Sequence, residues 1–349
     1  MQIDFKNFDI KNILPRTEFE KKILQFLQEW FSDSETVSVQ TSGSTGIPKV
    51  FEIEKKRMLN SAKMTCDFLG LKKGDTALLC LPVQYISGKM MLVRAIERKL
   101  KVIISVPSSA PEISQNIDFC AMTPLQVQNS LDKIHFIKNL IIGGAAVSEK
   151  LKSQISRELS TINHQPSTNI YETYGMSETL SHIALKQISP VQENYFTILN
   201  DVEISVDERN CLKIFAPKLN PEILQTNDIV ELMHFDSAQG DKKQFKFLGR
   251  FDNVINSGGV KIFAEELENL VKKHIDKDLV FLGKPDETLG EKLVLVVEGE
   301  KDENLKSEIL NLKFENKFHI PKEILFLEKF PRAENGKVLR KEILKFLAD

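Results

Sequence analysis

The sequence predicts an α/β fold: a large N-terminal domain with mainly parallel sheets plus a β-rich subdomain, then a small C-terminal α+β domain. Three observations support this. Strand-like and helical segments alternate up to about residue 175, which favours a parallel sheet covered on both faces. After Ser177, short strand-like runs are separated by turn residues, which is typical of antiparallel structure. At 349 residues the chain exceeds the usual size of one compact domain.

The N-terminal part begins with a predicted helix. Thr17 and Glu20 form a capping box before apolar residues at helical spacing. A strand at Val37–Val39 and a helix that ends at Gly70 follow. The remaining elements are expected as strands at 77–81, 102–106, 117–122 and 140–142, and as helices at 88–100 and, with Ser148 as N-cap, up to residue 159.

The β-rich subdomain and the C-terminal domain differ in pattern. Five short runs rich in β-branched and aromatic residues predict strands at 195–199, 202–206, 212–215, 229–233 and 245–248. From Ala264 onward the pattern is a charged helix, two strands near Phe281 and residues 294–297, a second helix and a strand at 324–327. We therefore expect a domain boundary near Asp252, with domains of residues 1–251 and 252–349.

Composition excludes several classes of protein. A net charge of −2 gives no reason to expect a nucleic acid partner, because binding the phosphate backbone needs a basic surface. The four cysteines are scattered, which argues against a zinc site or a disulfide scaffold and fits a reducing compartment. The polar start is unlike a signal peptide, and no apolar run is long enough to cross a bilayer. We expect a soluble, cytoplasmic protein without integral membrane association; the oligomeric state, a homodimer included, stays open.

The segment from Thr41 to Lys49 follows the first predicted strand. Its glycines allow successive backbone N–H groups to face one anion, its hydroxyls add donors, and the lysine adds a positive charge. It lacks the Gly-Lys-Ser/Thr of a Walker A loop, and the alternative is a flexible surface loop. We predict a site for nucleotide phosphates made by Thr41, Ser42, Gly43, Ser44, Thr45, Gly46 and Lys49.

Three further segments carry candidate chemistry. Residues 171–179 place a carboxylate among hydroxyls at the end of a strand, which suits a magnesium ligand; a core edge is the alternative. Residues 249–259 place an arginine, an acid and glycines at the expected domain boundary, which suits a hinge or an ordinary linker turn. Residues 331–337 present a lysine in a turn, and such a lysine by itself is more often merely solvated.

Taken together and in order, these segments resemble the signatures of the adenylate-forming superfamily, which includes acyl-CoA synthetases, peptide-synthetase adenylation domains and luciferases. The phosphate-binding signature matches Thr41–Lys49, and the Tyr-Gly-x-Ser/Thr-Glu signature matches Tyr174–Glu178. The Gly-Arg-x-Asp signature matches Gly249–Asp252, and the Pro-Arg-x-x-x-Gly-Lys turn matches Pro331–Lys337. Residues 173–182 further resemble CoA ligases that act on an aromatic dicarboxylic acid.

The resemblance implies ATP, Mg²⁺ and coenzyme A as ligands, and a small-molecule carboxylate as the substrate. The carboxylate attacks the α-phosphate of ATP, and the CoA thiolate then displaces AMP. The implied catalytic residues are Lys337, Glu178 and Lys49, with Glu178 and Thr45 as metal ligands. The implied nucleotide site comprises the phosphate loop together with Gly143, Gly144, Ala145, Tyr174, Gly175, Asp228 and Arg250. The implied hinge of a mobile C-terminal domain is Asp252, and the CoA channel would be lined by Ser257, Gly258 and Gly259.

The acyl site is expected at Tyr85, Ser87, Gly88 and Lys89. A dicarboxylate needs a cation for its second carboxylate; Lys89 is the first candidate and Arg94 the second, although Lys89 is equally compatible with an exposed start of a helix. Alternative functions are a ligase for another carboxylate, transfer to a carrier protein, or a catalytically silent ligand-binding homologue.

Three positions depart from the pattern of many relatives. Tyr85 stands where they have histidine, Ala333 where they have threonine, and Asn227 where they have glycine. We expect the first to alter gating of the acyl pocket, the second to have no consequence, and the third to be a small change of backbone.

Overall fold

The computed structural model describes residues 1–40, 50–161, 168–235, 242–332 and 338–346. Its helices are α1 Glu18–Trp30, α2 Lys55–Phe68, α3 Ile86–Arg98, α4 Pro124–Gln128, α5 Glu149–Ser160, α6 Ala264–Lys272, α7 Glu303–Leu310 and α8 Arg340–Phe346. Its first strands are β1 Gln2–Asp4, β2 Thr36–Gln40, β3 Val50–Glu54, β4 Thr76–Leu79, β5 Lys101–Ile104, β6 Ile117–Met122, β7 Ile137–Ile142, β8 Asn169–Gly175, β9 His182–Ser189 and β10 Phe196–Ile198. The later strands are β11 Glu203–Val206, β12 Cys211–Ala216, β13 Asn220–Phe235, β14 Lys242–Arg250, β15 Val254–Ser257, β16 Val260–Phe263, β17 Leu279–Asp286, β18 Gly290–Glu298 and β19 Glu323–Leu327.

The predicted α/β architecture is confirmed. Strands β5, β4, β6, β7 and β8 form a parallel sheet. Successive residues of β4 face two different cores: Ala77 and Leu79 face the core that contains α1, α2 and α3, whereas Leu78 faces the core that contains α5. Because side chains alternate along a strand, this sheet is covered on both faces, which explains the runs of apolar residues in β4 and β6 and at the end of β7.

The antiparallel strands extend this sheet rather than forming a separate layer. β8 pairs with parallel β7 on one side and with antiparallel β9 on the other. From β9 the ladder continues through β10, β14, β13 and β12 to β11, so twelve strands form one hydrogen-bonded path. Most of these strands were predicted from the sequence, except β9; the predicted β-rich subdomain shares one continuous sheet with the parallel strands.

A second, five-stranded sheet contains β15 to β19, with β19 parallel to β18. It has its own apolar core beneath α6. A 3-10 turn, Phe251–Asn253, connects β14 to β15. Polar contacts join the two sheets across this turn: Lys246 Nζ lies 3.3 Å from Glu266 Oε1, and Asn253 Nδ2 donates to Glu265 Oε1. Among the described residues, helices long and apolar enough to span a bilayer are absent.

The topology sets the position of the candidate site. The carboxyl ends of β4, β6, β7 and β8 lie at one edge of the parallel sheet, because these strands run in the same direction. The chain leaves this edge at Thr123 after β6, at Gly143 after β7 and at the end of β8 beyond Gly175. Ligands of open α/β sheets bind at this kind of edge.

Candidate active site

Close packing explains the glycines after β7. Gly143 N–H donates to the Met122 carbonyl at 3.0 Å, which keeps the chain beside β6. A Cβ on Gly143 would lie 2.8 Å from Thr173 Oγ1, and Gly144 has a φ of +87°. Glycine meets the close approach at position 143 and the positive φ at position 144 without strain. The backbone of Gly144 and Ala145 therefore runs exposed along the carboxyl edge.

Three of the predicted nucleotide-binding residues lie together. Asp228 on β13 and Arg250 on β14 are directly opposite each other, and Arg250 Nε lies 3.6 Å from Asp228 Oδ1. The Tyr174 hydroxyl, at the end of β8, donates to Asp228 Oδ2 at 2.6 Å. Burial, helped by the charge of Asp228, raises the pKa of Tyr174, so its hydroxyl stays protonated and remains a donor. The Tyr174 ring packs edge-on against Phe245, with 4.9 Å between ring centroids.

A tight reversal between β8 and β9 presents Glu178. A Cβ on Gly175 would lie 2.4 Å from the Ser181 carbonyl oxygen, so the reversal requires glycine. In the 3-10 turn that follows, Thr179 Oγ1 accepts from Met176 N–H at 3.0 Å. Glu178 is exposed, and within the described ranges its carboxylate has no hydrogen bond or ion pair. A free carboxylate of this kind fits Mg²⁺, which prefers oxygen ligands and keeps part of its water.

The predicted acyl segment begins α3. Tyr85 is the N-cap of α3, and Ser87 in its first turn is exposed. A Cβ on Gly88 would lie 2.3 Å from the Pro82 carbonyl oxygen, so this glycine permits close contact with the chain leaving β4. Tyr85 also forms a parallel bridge with Gln40, the last residue of β2. The acyl segment therefore lies beside the point where the chain enters the predicted phosphate loop.

The two candidate cations of α3 have different surroundings. Lys89 is 8% exposed, so the interpretation of an exposed start of a helix is wrong. Its Nζ donates to the Ser38 carbonyl of β2 and lies 5.2 Å from the centroid of the Phe26 ring. Burial lowers the pKa of Lys89.

Arg94 is 2% exposed, and its Nη2 donates to Ser181 Oγ at 2.8 Å. Its Nε has no hydrogen-bond partner, and no carboxylate pairs with it in the part of the chain that the structure describes. Burial lowers the pKa of Arg94 to about 10. Burial, with the charge of Arg94 second, also lowers the pKa of His182, so that histidine is neutral. Arg94 is thus a buried cation at the β8–β9 reversal with no carboxylate partner among the described residues.

The hinge and CoA predictions fall on two turns. In the first, Asp252 Oδ2 accepts from Asn227 Nδ2 at 3.3 Å. Asn227 was expected only to change the backbone; its side chain in fact contacts Asp252, the predicted hinge residue, a contact that glycine cannot make. In the second turn, Gly258 and Gly259 have φ of +58° and +81° and connect β15 to β16. Two-residue hairpin loops of this type need positive φ at both positions, so the glycines have a structural reason independent of CoA.

Several predicted residues lie outside the described ranges: Thr41, Ser42, Gly43, Ser44, Thr45, Gly46, Lys49, Ala333 and Lys337. Their neighbours in sequence are described. Gln40 ends β2, and Arg332 and Val338 form an antiparallel bridge on either side of residues 333–337. Sequence reasoning also missed Arg209, whose guanidinium donates to Asn227 Oδ1 at 3.1 Å and lies over the Phe251 ring beside the hinge.

Comparison with known proteins identifies the family of the chain. Residues 3–210 match the model of a family described as AMP-binding enzyme. The chain belongs to the AMP-binding enzyme family. A similar AMP-binding protein is the acyl-CoA synthetase (AMP-forming)/AMP-acid ligase II-like protein from Dyadobacter fermentans, whose structure is 31% identical with a TM-score of 0.65 over 99% of both chains.

Two further relatives of this AMP-binding enzyme carry more specific names. A 2-succinylbenzoate–CoA ligase from Listeria monocytogenes is 26% identical over 95% of this chain and 73% of its own length. The structure of O-succinylbenzoate coenzyme A synthetase from Bacillus subtilis, in complex with ATP and magnesium, has a TM-score of 0.68 at 19% identity, over 88% of this chain and 69% of that one. This last likeness supports the fold alone.

Proposed function

We propose that the chain is an ATP-dependent acid–CoA ligase that acts through an acyl-adenylate, with o-succinylbenzoate as the acid. The observation that carries the proposal is the cluster of Tyr174, Asp228 and Arg250, together with the free carboxylate of Glu178 in the reversal that follows β8. The name of the Listeria relative supports the choice of acid.

The proposed chemistry has two steps. A carboxylate oxygen of the acid forms a bond to the α-phosphorus of ATP, and the bond from that phosphorus to the pyrophosphate oxygen breaks. The CoA thiolate then bonds to the acyl carbon, and AMP leaves with the bridging oxygen. AMP is a far better leaving group than oxide, so the site mainly orients the reactants and neutralises charge on phosphate.

The described residues fit the binding half of this chemistry. An ionised Asp228 only accepts hydrogen bonds, which suits two ribose hydroxyls, while Tyr174 and Arg250 fix its orientation. Mg²⁺, held by Glu178 with Thr45, would neutralise phosphate charge during the displacement. We assign Lys337 to the α-phosphate and the attacking carboxylate, and the Ser257–Gly259 turn to CoA after the C-terminal domain has moved about Asp252.

For the second carboxylate of the acid we now favour Arg94 over Lys89. A buried guanidinium without an anion is costly, and a planar fork matches a carboxylate with two parallel hydrogen bonds. Arg94 lacks a carboxylate partner among the described residues and contacts Ser181, three residues after Glu178. Lys89, in contrast, is already bonded to the Ser38 carbonyl.

A panel of carboxylic acids tests the proposal. Each acid is incubated with Mg·ATP and CoA, and AMP and thioester are both measured; o-succinylbenzoate should give both, and pyrophosphate should exchange into ATP only when acid is present. If another aryl acid works and o-succinylbenzoate is inert, the named substrate is wrong but the chemistry holds. If no acid supports exchange, the chain is a silent homologue. Lys337→Ala should abolish adenylation and spare thioester formation from supplied acyl-adenylate.

A further inference from the structure

We infer that Lys89 is a positioning residue for the nucleotide: it fixes the strand that leads into the phosphate loop, and it does not contact the acid. The inference rests on the proposed function, in which the loop after β2 holds the phosphates of ATP. Lys89 would therefore support ATP binding, whereas the sequence predicted that it binds the acid.

The evidence is a polar network around one residue of β2. The backbone carbonyl of Ser38 accepts from Lys89 Nζ on α3. Its backbone N–H donates to Glu29 Oε1 on α1 at 2.7 Å, and its hydroxyl donates to Glu52 Oε1 on β3 at 2.6 Å. Three elements thus hold Ser38, which lies three residues before Thr41. The Gln40–Tyr85 bridge completes the attachment of β2 to α3.

This network matters because the backbone of β2 has few strand partners, although Val37 and Val39 anchor its apolar face in the main core. β2 pairs with β3 alone, in a two-stranded sheet apart from the large one. An isolated pair of strands has little stability of its own, so its exact position depends on side-chain contacts with the helices beside it. An error of about 1 Å at the base of a binding loop is enough to weaken the site strongly.

The Lys89 side chain lies on a different side of α3 from Arg94, the residue that we propose binds the acid. Lys89 and Arg94 are five residues apart on α3, so they project about 140° apart around the helix axis. Arg94 contacts Ser181 beyond the β8–β9 reversal, whereas Lys89 contacts β2 and the Phe26 ring of α1. Burial lowers the pKa of Lys89, and the charges of Glu29 and Glu52 oppose that effect, so the protein itself supplies acidic groups near this ammonium.

Lys89→Met tests the inference, because it keeps the long unbranched stem and removes the donor and the charge. The dissociation constant of Mg·ATP without acid, and the KM for ATP, should both rise about tenfold, the value expected for the loss of one charged hydrogen bond. The KM for the acid at saturating ATP should change by less than about twofold. Lys89→Arg, which retains a donor, should recover much of the ATP affinity. Lys63→Met, on the exposed face of α2, is the matched control and should change neither value.

Glu29→Leu provides a second test that does not depend on Lys89→Met folding, because Glu29 is only half-buried and holds the other side of Ser38. It should raise the dissociation constant of Mg·ATP in the same way. A raised KM for the dicarboxylic acid with unchanged ATP binding in Lys89→Met would overturn the inference in favour of an acyl role. A lower melting temperature with unchanged ATP affinity would also overturn it. Because ATP binding is measured without acid or CoA, a failure of the proposed ligase reaction stays distinguishable from a failure of this inference.

Discussion

Replacing Arg94 by methionine should make the folded protein more stable and, at the same time, weaken its binding of the dicarboxylic acid. Burial lowers the pKa of Arg94 to about 10, which corresponds to a cost of about 3 kcal/mol for keeping the charge in the folded protein. Because the folded-state pKa is lowered, this cost is present at every pH below about 10 and is relieved as the pH rises through that value. Lys89 and Ser38 are untouched by the change.

Arg94→Met removes this cost and loses the 2.8 Å hydrogen bond from the charged guanidinium to Ser181, worth about 1.5 kcal/mol. We therefore expect the free energy of unfolding to rise by about 1–2 kcal/mol. We also expect the KM for the dicarboxylic acid to rise at least about a hundredfold, since breaking a buried ion pair costs about 3–5 kcal/mol. An acid that lacks the second carboxylate should show almost no change.

Urea unfolding, followed by the fluorescence of Trp30, the one tryptophan of the sequence, measures the first quantity. AMP release at varied acid concentration measures the second. Arg98→Met is the matched control on the same helix: Arg98 pairs with Asp67 at 2.5 Å and with Glu97 at 3.0 Å, so its loss should not stabilise the protein and should leave both acids unaffected. If Arg94→Met lowers the free energy of unfolding by several kcal/mol and impairs both acids equally, Arg94 is a structural residue and the reasoning fails.

Three other substitutions have clear expectations. Tyr174→Phe removes the hydroxyl bonded to Asp228, the carboxylate that we propose binds the ribose, and should raise the dissociation constant of ATP about five- to tenfold, measured by calorimetry, with little change in the KM for acid. Gly88→Ala should lower the melting temperature by several degrees in calorimetry, because its Cβ meets the Pro82 carbonyl at 2.3 Å and backbone cannot yield like a side chain. Asn227→Gly removes the 3.3 Å contact with Asp252 and should change the ratio of the two half-reaction rates by about two- to fivefold without lowering the melting temperature; an unchanged ratio would show that this contact does not bias the hinge.

The position of the predicted nucleotide-binding loops could be predicted from the sequence because parallel strands all run in the same direction. Alternating strands and helices put every loop that follows a parallel strand at one edge, so Gly143 and Gly175 had to lie near each other. Strand β9 was missed for a related reason. It pairs with β8 and with β10 and is buried on both faces, so it lacks the alternation that marks a half-exposed strand. The hairpin at Gly258 and Gly259 had a recognisable signal, two glycines between β-branched runs, which the hinge interpretation obscured.

The roles of the two cations on α3 could not be predicted, because the helix is buried on all sides. Eight consecutive residues from Gly88 to Ala95 are buried, so the apolar pattern has no polar face from which to infer the direction of a charge. Tertiary neighbours decide it: β2 offers Lys89 a carbonyl oxygen, while the β8–β9 reversal offers Arg94 a hydroxyl and no described carboxylate.

This difference between neighbouring cations links stability to specificity. A buried charge that the protein satisfies by itself, as with Lys89, contributes to the shape of the site whether or not substrate is present. A buried charge that has no described carboxylate partner, as with Arg94, costs folding free energy, which the second carboxylate of the proposed acid would recover. An acid that lacks the second carboxylate cannot recover that cost and also leaves the guanidinium desolvated. The preference for the dicarboxylic acid over an acid without the second carboxylate should therefore be larger than the contact with Arg94 alone provides. Other sites reject an analogue in the same way, because the analogue leaves their polar groups unpaired.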